Sequence, residues 1–411
     1  MSREGHVEID PPAAGEAAGR DAAGYLAEAH ARWFLRRNLA REFSPDHALV
    51  ARCERALHAC IQAAAAADPP AQPAGGMEAD VFTWLAAHLA GDAVPAAARD
   101  RAAQQGLEPP AADAIVLFPC PAAEAWLREL FQQVPASRGA VMEVWREQGR
   151  PPGTAPLPAD RLLDEHPEAV LAWHAGHPDG DGDLLARHYR APAAGAHTPG
   201  LAAAIEGGLL RGDPAASAAL EAALHEAGPG APPPLLDLAA LAGLEHALPV
   251  LHRAALDQGG ETWLRLAWLG TPAVLEPLVE AMGDARHAGD AARAWGLVTG
   301  HRPGAVPRLR EVGGGTGPDR ADDGTLPDAA DAGRWLDEHR QELSPGTRYL
   351  LGRPAVPALL AGLARRRAGR LGTVLARRLR LAVARPVPLP ARGWRRAAVA
   401  AVSELAEGDG P

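Results

Sequence analysis

The sequence predicts an all-α protein, built as an irregular solenoid of stacked helical hairpins. Three observations point there. Of 411 residues, 93 are alanine, while aromatic residues make up only 4%; cores that are alanine-rich and aromatic-poor suit closely packed helices, since strands favour branched and aromatic side chains. Apolar residues recur at helical spacing in most segments that are not rich in proline or glycine. Between residues 201 and 300 a hairpin-like pattern repeats at a period near 30, the length of one two-helix unit.

Residues 1–18 are small, contain Pro and Gly and lack periodicity, so they read as a disordered arm. The N-terminal helical region spans 19–150. Its first helix places Ala22, Leu26, Ala29 and Trp33 on one side, with Arg32, Arg36 and Arg37 on others. Ser44-Pro45 then reads as N-cap and first helical residue of a second helix, with Leu49, Cys53, Leu57, Cys60 and Ile61 as its apolar stripe. A Pro/Gly break at 69–76 ends this hairpin. Further helices are expected over Val81–Ala90 and from Ala122, the latter with Trp126, Leu127, Leu130, Phe131 and Val134 inward. Residues 151–200 read as an irregular connection with short helices, and 149–160 and 176–200 as its long loops.

In the 201–300 repeats, Leu238-Ala-Ala-Leu241 recurs 28 residues later as Leu266-Ala-Trp-Leu269, and Pro249 keeps the same offset to Pro277. Leu209–Pro214 leads into Ala219, Leu220, Ala223 and Leu224. Such a unit cannot bury its own apolar face, so neighbours must stack. Residues 301–330, with Gly313-Gly-Gly and Asp319, Asp322 and Asp323, read as a loop. The last region, 331–411, is basic and helical: between Glu342 and Glu404 there are 13 arginines and no acidic residue.

Composition excludes several mechanisms. All 41 basic residues are arginine, a bias that also fits the codon usage of a GC-rich genome. Without lysine there is no P-loop lysine, Schiff-base lysine or kinase-type phosphate-pairing lysine. Three cysteines with no CxxC pair make no disulfide framework. There is no apolar run of the ~20 residues a membrane helix needs and no basic-then-apolar leader, so the expectation is a cytoplasmic protein without membrane insertion.

Two stretches carry a family resemblance. Trp263–Gly270, Pro277–Met282 and Ala294–Gly300 resemble short HEAT-type repeats of the phycobilisome-lyase-like sort. Trp335-Leu-Asp-Glu-His339 followed by Pro345-Gly-Thr-Arg-Tyr-Leu-Leu-Gly-Arg-Pro354 resembles a family of uncharacterised proteobacterial HEAT-like proteins associated with type VI secretion effector gene clusters, as do Tyr25–Ala29, Trp33–Arg37 and the Ser44-Pro45 hairpin. The resemblance implies a HEAT-like α-solenoid and brings no catalytic residues with it.

Few residue groups suggest chemistry. His166, His174 and His177 with Asp179, Asp181 and Asp183 offer imidazole and carboxylate ligands apt for a divalent metal. Asp179-Gly-Asp-Gly-Asp183 opens like a calcium loop but has Leu184 where glycine is required and Arg190 where glutamate is; the same residues also read as a polar inter-helix loop. Cys53 and Cys60 share one helix face and read as core, as do Trp263, Trp268 and Trp295. Gly313–Gly317 follows no predicted strand and has no lysine, so it is no phosphate loop. The arginine block stands out: Arg365, Arg366, Arg367, Arg370, Arg377, Arg378 and Arg380 interleave with Leu371, Val374, Leu375 and Leu379. Arginines in such a block grip phosphates, an acidic partner, or acids of the same chain. The expectation is a non-enzymatic protein-binding scaffold or effector-associated accessory protein without cofactor, partnered by another protein; the alternative is a HEAT-like nucleic-acid binder using the arginine cluster.

Overall fold

The structure, a computed structural model, describes residues 21–191, 195–307 and 325–407. Among these are 21 α-helices and two short β-pairs. In chain order they begin with α1 (Ala22–Arg41), α2 (His47–Ala66), α3 (Glu78–Ala90), α4 (Ala96–Gln105), α5 (Pro109–Leu117), α6 (Pro121–Gln133) and α7 (Arg138–Glu147). There follow α8 (Ala159–Glu165), α9 (Pro167–Gly176), α10 (Gly182–Arg190), α11 (Leu201–Leu209), α12 (Pro214–Ala227), α13 (Pro233–Ala242) and α14 (Leu248–Gln258). The remainder is α15 (Leu264–Leu269), α16 (Leu275–Met282), α17 (Ala288–Thr299), α18 (Ala329–His339), α19 (Pro357–Arg366), α20 (Gly369–Ala382) and α21 (Arg395–Glu407). The all-α expectation holds. The 1–18 arm and Gly313–Gly317 lie outside the described residues.

The chain divides into two compact units. One comprises the chain up to Arg187, Gly207–Gly212 and Pro357 onward; the other is His188–Glu206 and Asp213–Val356. In the first, α1 and α2 form the expected antiparallel hairpin. The cap of α2 is not Ser44 but Asp46, whose carboxylate accepts from the Ala48 N–H at 2.8 Å. Pro45 is buried in the preceding turn, where a Cβ on Gly369 would come within 2.5 Å of its ring. Alternate helices then pack in a row, α3 on α5, α5 on α7 and α7 on α9, with α6 against α7 and α8 against α9. Phe82, Trp126, Phe131, Trp145 and Trp173 fill the core of this row. Trp33 stacks on Phe82 with ring centroids 4.9 Å apart, and this contact joins the hairpin to the row.

The long loop expected over 176–200 is interrupted by α10. Asp181, which reads in sequence as part of an Asp-Gly loop, accepts from the Leu184 N–H at 2.9 Å and starts this helix.

The second unit repeats the alternate stacking: α13 packs on α15 and α15 on α17, while α16 packs on α17 and α18. The repeated Leu238–Leu241 and Leu266–Leu269 are the buried strips of α13 and α15, and Pro249 and Pro277 fall in the first turns of α14 and α16. Trp263, Trp268 and Trp295 are buried, as expected of core residues. Asp213 caps α12 through the Ala215 N–H at 2.9 Å, with Pro214 as its first residue. The expected 301–330 loop contains a short antiparallel pair, β1 (Ala305–Pro307) with β2 (Thr325–Pro327), in which Ala305 faces Pro327.

The Pro345–Pro354 motif fastens this unit. Its strands β3 (Tyr349–Leu350) and β4 (Arg353–Pro354) form a two-residue pair. Arg348 donates from Nε to the Leu269 carbonyl at 3.0 Å. Its Nη2 reaches the carbonyls of Trp268 at 2.7 Å, Leu241 at 2.9 Å and Ala240 at 3.0 Å. The Tyr349 N–H donates to the Gly270 carbonyl at 2.7 Å; those of Leu351 and Gly352 reach Leu297 and Val298 at 2.7 and 2.9 Å. These carbonyls lie in or just after the final turns of α13, α15 and α17, where a helix cannot satisfy them itself. Burial pushes the Arg348 guanidinium down to about 10, so it stays charged at neutral pH against the negative ends of two helix dipoles. Gly243 ends α13 at φ +83°, and a Cβ there would lie 2.9 Å from Arg348 Nη1. Both the left-handed backbone and the close approach require glycine.

Candidate functional site

The expected arginine surface divides in two. α19 ends at Arg366 and α20 begins at Gly369, whose φ of +63° turns the chain where a Cβ would lie 2.4 Å from the Glu42 carbonyl. The turn is fastened to the loop after α1, with the N–H groups of Arg370 and Leu371 donating to the Glu42 and Phe43 carbonyls at 3.1 and 2.8 Å. Arg365, Arg366, Arg367 and Arg370 are exposed around it. Arg377 is half-buried. Arg378 and Arg380 belong to the buried face of α20 with Leu371, Leu375 and Leu379, and Arg378 is only 1% exposed. Arg380 Nη1 donates to the Val387 carbonyl at 3.2 Å. The seven therefore form an exposed four-residue knob and an interior set rather than one continuous stripe.

Other arginines of the basic region bind the N-terminal helices of the same unit. Arg395 Nη2 gathers the carbonyls of Ala364, Arg365 and Arg367 at 2.6, 2.9 and 2.5 Å, which closes the end of α19. The Arg395 N–H donates to Glu54 Oε2 at 2.8 Å, and Arg36 Nε donates to Glu54 Oε1 at 3.1 Å. Arg36 Nη2 returns to the carbonyls of Arg392 and Gly393 at 3.0 and 2.7 Å. The Arg392 N–H donates to Glu147 Oε2 at 2.9 Å, and its guanidinium lies 3.7 Å from Asp113 and 3.5 Å from Glu143. Burial pushes the carboxyls of Glu147 and Asp113 upward, opposed by Arg146 beside Glu147 and by Arg392 beside Asp113. Trp394 donates from its indole to the Leu117 carbonyl at 2.8 Å and meets Phe118 edge-on at 5.5 Å.

The histidine and aspartate loop is held by its own backbone. His174 Nδ1 accepts from the Asp181 N–H at 3.0 Å, and His177 Nδ1 from the Asp179 N–H at 3.1 Å. Arg211 Nη2 donates to the carbonyls of His174, His177 and Gly180 at 3.0, 2.9 and 3.2 Å. Burial pushes the His174 imidazole down. His166 Nε2 lies instead 3.3 Å from the Pro135 carbonyl. Among the described residues, no three His, Cys, Asp or Glu side chains, Asp183 included, converge to hold a metal ion. Cys53 and Cys60 are buried; burial pushes the Cys53 thiol up to about 11, where it is a poor nucleophile at neutral pH.

Sequence reasoning missed the fastening roles of Arg348, Arg211 and Arg395. Their common signal is chemical: a planar guanidinium spreads several donors over several carbonyls, which an ammonium cannot match. No helix among the described residues is long and apolar enough to cross a membrane. Compared with known proteins, the chain matches no protein-family model, no curated protein and no solved structure.

Proposed function

We propose that the chain is a non-enzymatic protein-binding scaffold on HEAT-like helical hairpins, and that the exposed turn between α19 and α20 docks an acidic segment of a partner protein. The alternate stacking of α3–α5–α7–α9 and of α13–α15–α17 supports the hairpin-repeat reading. The observation that carries the docking reading is the exposure of Arg365, Arg366, Arg367 and Arg370 on one turn, within a stretch of chain from 343 to 403 that has no acidic residue. The burial of Arg378 and Arg380 shortens the basic surface to a knob, which suits a short acidic peptide better than the long phosphate track of a duplex. The resemblance to HEAT-like proteins of type VI secretion gene clusters makes a secretion effector the partner class of choice.

The test is an affinity pull-down from native lysate at low and moderate salt, beside a variant with Arg365, Arg366, Arg367 and Arg370 changed to glutamine. The proposal expects a specific protein that is lost with the variant. Recovery of the same protein by both forms, or of nucleic acid alone, overturns it.

A further inference from the structure

Within the first unit, a cavity of about 100 Å³ lies beside the arginine knob. The two share one turn: Ala368 and Gly369, between Arg367 and Arg370, line the cavity, as do Gly372 and Thr373 in the first turns of α20. It opens at the surface, since its lining residues Ala40, Thr373 and Ala391 are exposed, whereas Leu39, Val50, Ala376 and Val402 are buried. Three charged residues also line it, and their heads are engaged within the chain. Arg36 Nε donates to Glu54, Arg36 Nη2 to the carbonyls of Arg392 and Gly393, and Arg395 Nη2 to the carbonyls that end α19. The wall left for a guest is mainly aliphatic.

Charge and size together define the guest. The rim carries the exposed Arg365, Arg366, Arg367 and Arg370, and the loop packed on this turn adds Arg41 against Glu42 and Asp46, which leaves the rim positive. An apolar cavity of about 150 Å³ holds the six heavy atoms of benzene, so about 100 Å³ holds about four. That is the isobutyl group of a leucine; the benzyl group of a phenylalanine exceeds it. Successive residues of an extended segment lie about 3.3–3.6 Å apart, so acids on either side of such a leucine stay within reach of the arginines around the mouth.

We propose that the acidic segment docked by the knob carries a leucine-sized aliphatic side chain. This side chain seats in the cavity while the flanking carboxylates meet Arg365, Arg366, Arg367 and Arg370. The inference rests on the docking reading above and adds its specificity: charge brings a segment to the knob, and the cavity selects among acidic segments by the size of one side chain.

Calorimetric titration of the full chain with three capped peptides tests this: Asp-Asp-Leu-Asp-Asp and its versions with alanine or phenylalanine at the centre. The leucine peptide should bind about tenfold more tightly than the alanine peptide, from its extra buried carbons. It should also bind about fivefold more tightly than the phenylalanine peptide, although phenylalanine has more apolar surface to bury. Added salt should weaken all three, because the charged contacts are screened, and leave the ratio of leucine to alanine unchanged. Ala376→Leu, which fills the cavity without altering a charged group, should bring the leucine peptide to the alanine level, with its melting temperature confirming the fold. If Ala376→Leu fails to fold, the peptide series decides alone. Equal binding of the leucine and alanine peptides, tighter binding of phenylalanine, or a leucine advantage kept by Ala376→Leu would each overturn the cavity inference; the docking reading stands if the glutamine quadruple at Arg365, Arg366, Arg367 and Arg370 loses all three peptides. Peptides that bind neither the wild type nor the quadruple, or both equally, would overturn the docking reading and the inference with it.

Discussion

Replacing Arg348 with methionine keeps most of the stem and removes every donor of the guanidinium. Four carbonyls then lose a charge-assisted partner: Leu269, Trp268, Leu241 and Ala240. A hydrogen bond to a charged group contributes about 1.5–3 kcal/mol, but three of the four share one nitrogen and do not add. Desolvation of the guanidinium, seen in its lowered pKa, offsets part of the gain. The net loss is about 3–5 kcal/mol, from buried carbonyls left short of a donor at about 1–3 kcal/mol each, which do not add in full. At roughly 2–4 °C per kcal/mol for a unit of this size, melting falls by about 6–20 °C. The assay is thermal and urea unfolding followed by circular dichroism, with amide exchange at Ala240–Gly243 and Trp268–Gly270. Arg348→Lys should recover less than half of the loss, since an ammonium cannot span both helix ends. A methionine variant within 2 °C of wild type would refute the reasoning.

Other consequences follow from the same contacts. Burial holds His174 below its ordinary pKa, and His58 and His252 likewise. The unfolded chain therefore takes up protons as pH falls past about 6.5 while the native state resists, so stability is full above that pH and declines below it. Urea unfolding should give a lower midpoint at pH 5.5 than at 7.5, with a smaller difference in His174→Gln; an unchanged or rising midpoint contradicts this. Native protein should leave Cys53 and Cys60 unmodified by a thiol reagent at pH 8 until denaturant is added; fast labelling of Cys53 would contradict its burial. Trp394→Ala should cost about 2–3 kcal/mol, below the usual cost of emptying a fully buried site because the ring is half-buried. Denaturant titration checks it, and a loss under 0.5 kcal/mol would mean that the C-terminal segment is not held through its indole.

How far the sequence could be read depended on whether burial left a periodic mark. α1, α2, α6 and α13 bury regular leucine, alanine and aromatic positions, and their periodicity is plain. α4 buries only Ala98 and Ala102 among its ten residues, so no apolar stripe announced it. α10 was hidden by the Asp-Gly run that begins it, because a capping aspartate and a loop aspartate look alike in sequence. The division of the arginine cluster left a faint trace: Leu371, Leu375, Arg378 and Leu379 follow helical spacing, which puts Arg378 on the apolar face. Arg348 and Arg395 left none, because their partners are carbonyls supplied by distant helix ends and any residue type carries a carbonyl.

The central claim is that the arginines divide into two sets, interior residues fastening helix ends and the Arg365–Arg370 knob exposed on the surface. Melting temperatures of two variants under one buffer test it most directly: the glutamine quadruple at Arg365, Arg366, Arg367 and Arg370, and Arg395→Gln. Exposed substitutions change stability by about 0.5 kcal/mol or less each, at most about 2 kcal/mol for four, so the quadruple should melt no more than about 4–8 °C below wild type, whereas Arg395→Gln, which opens the end of α19, should fall below both. A quadruple variant as destabilised as Arg395→Gln would contradict the account.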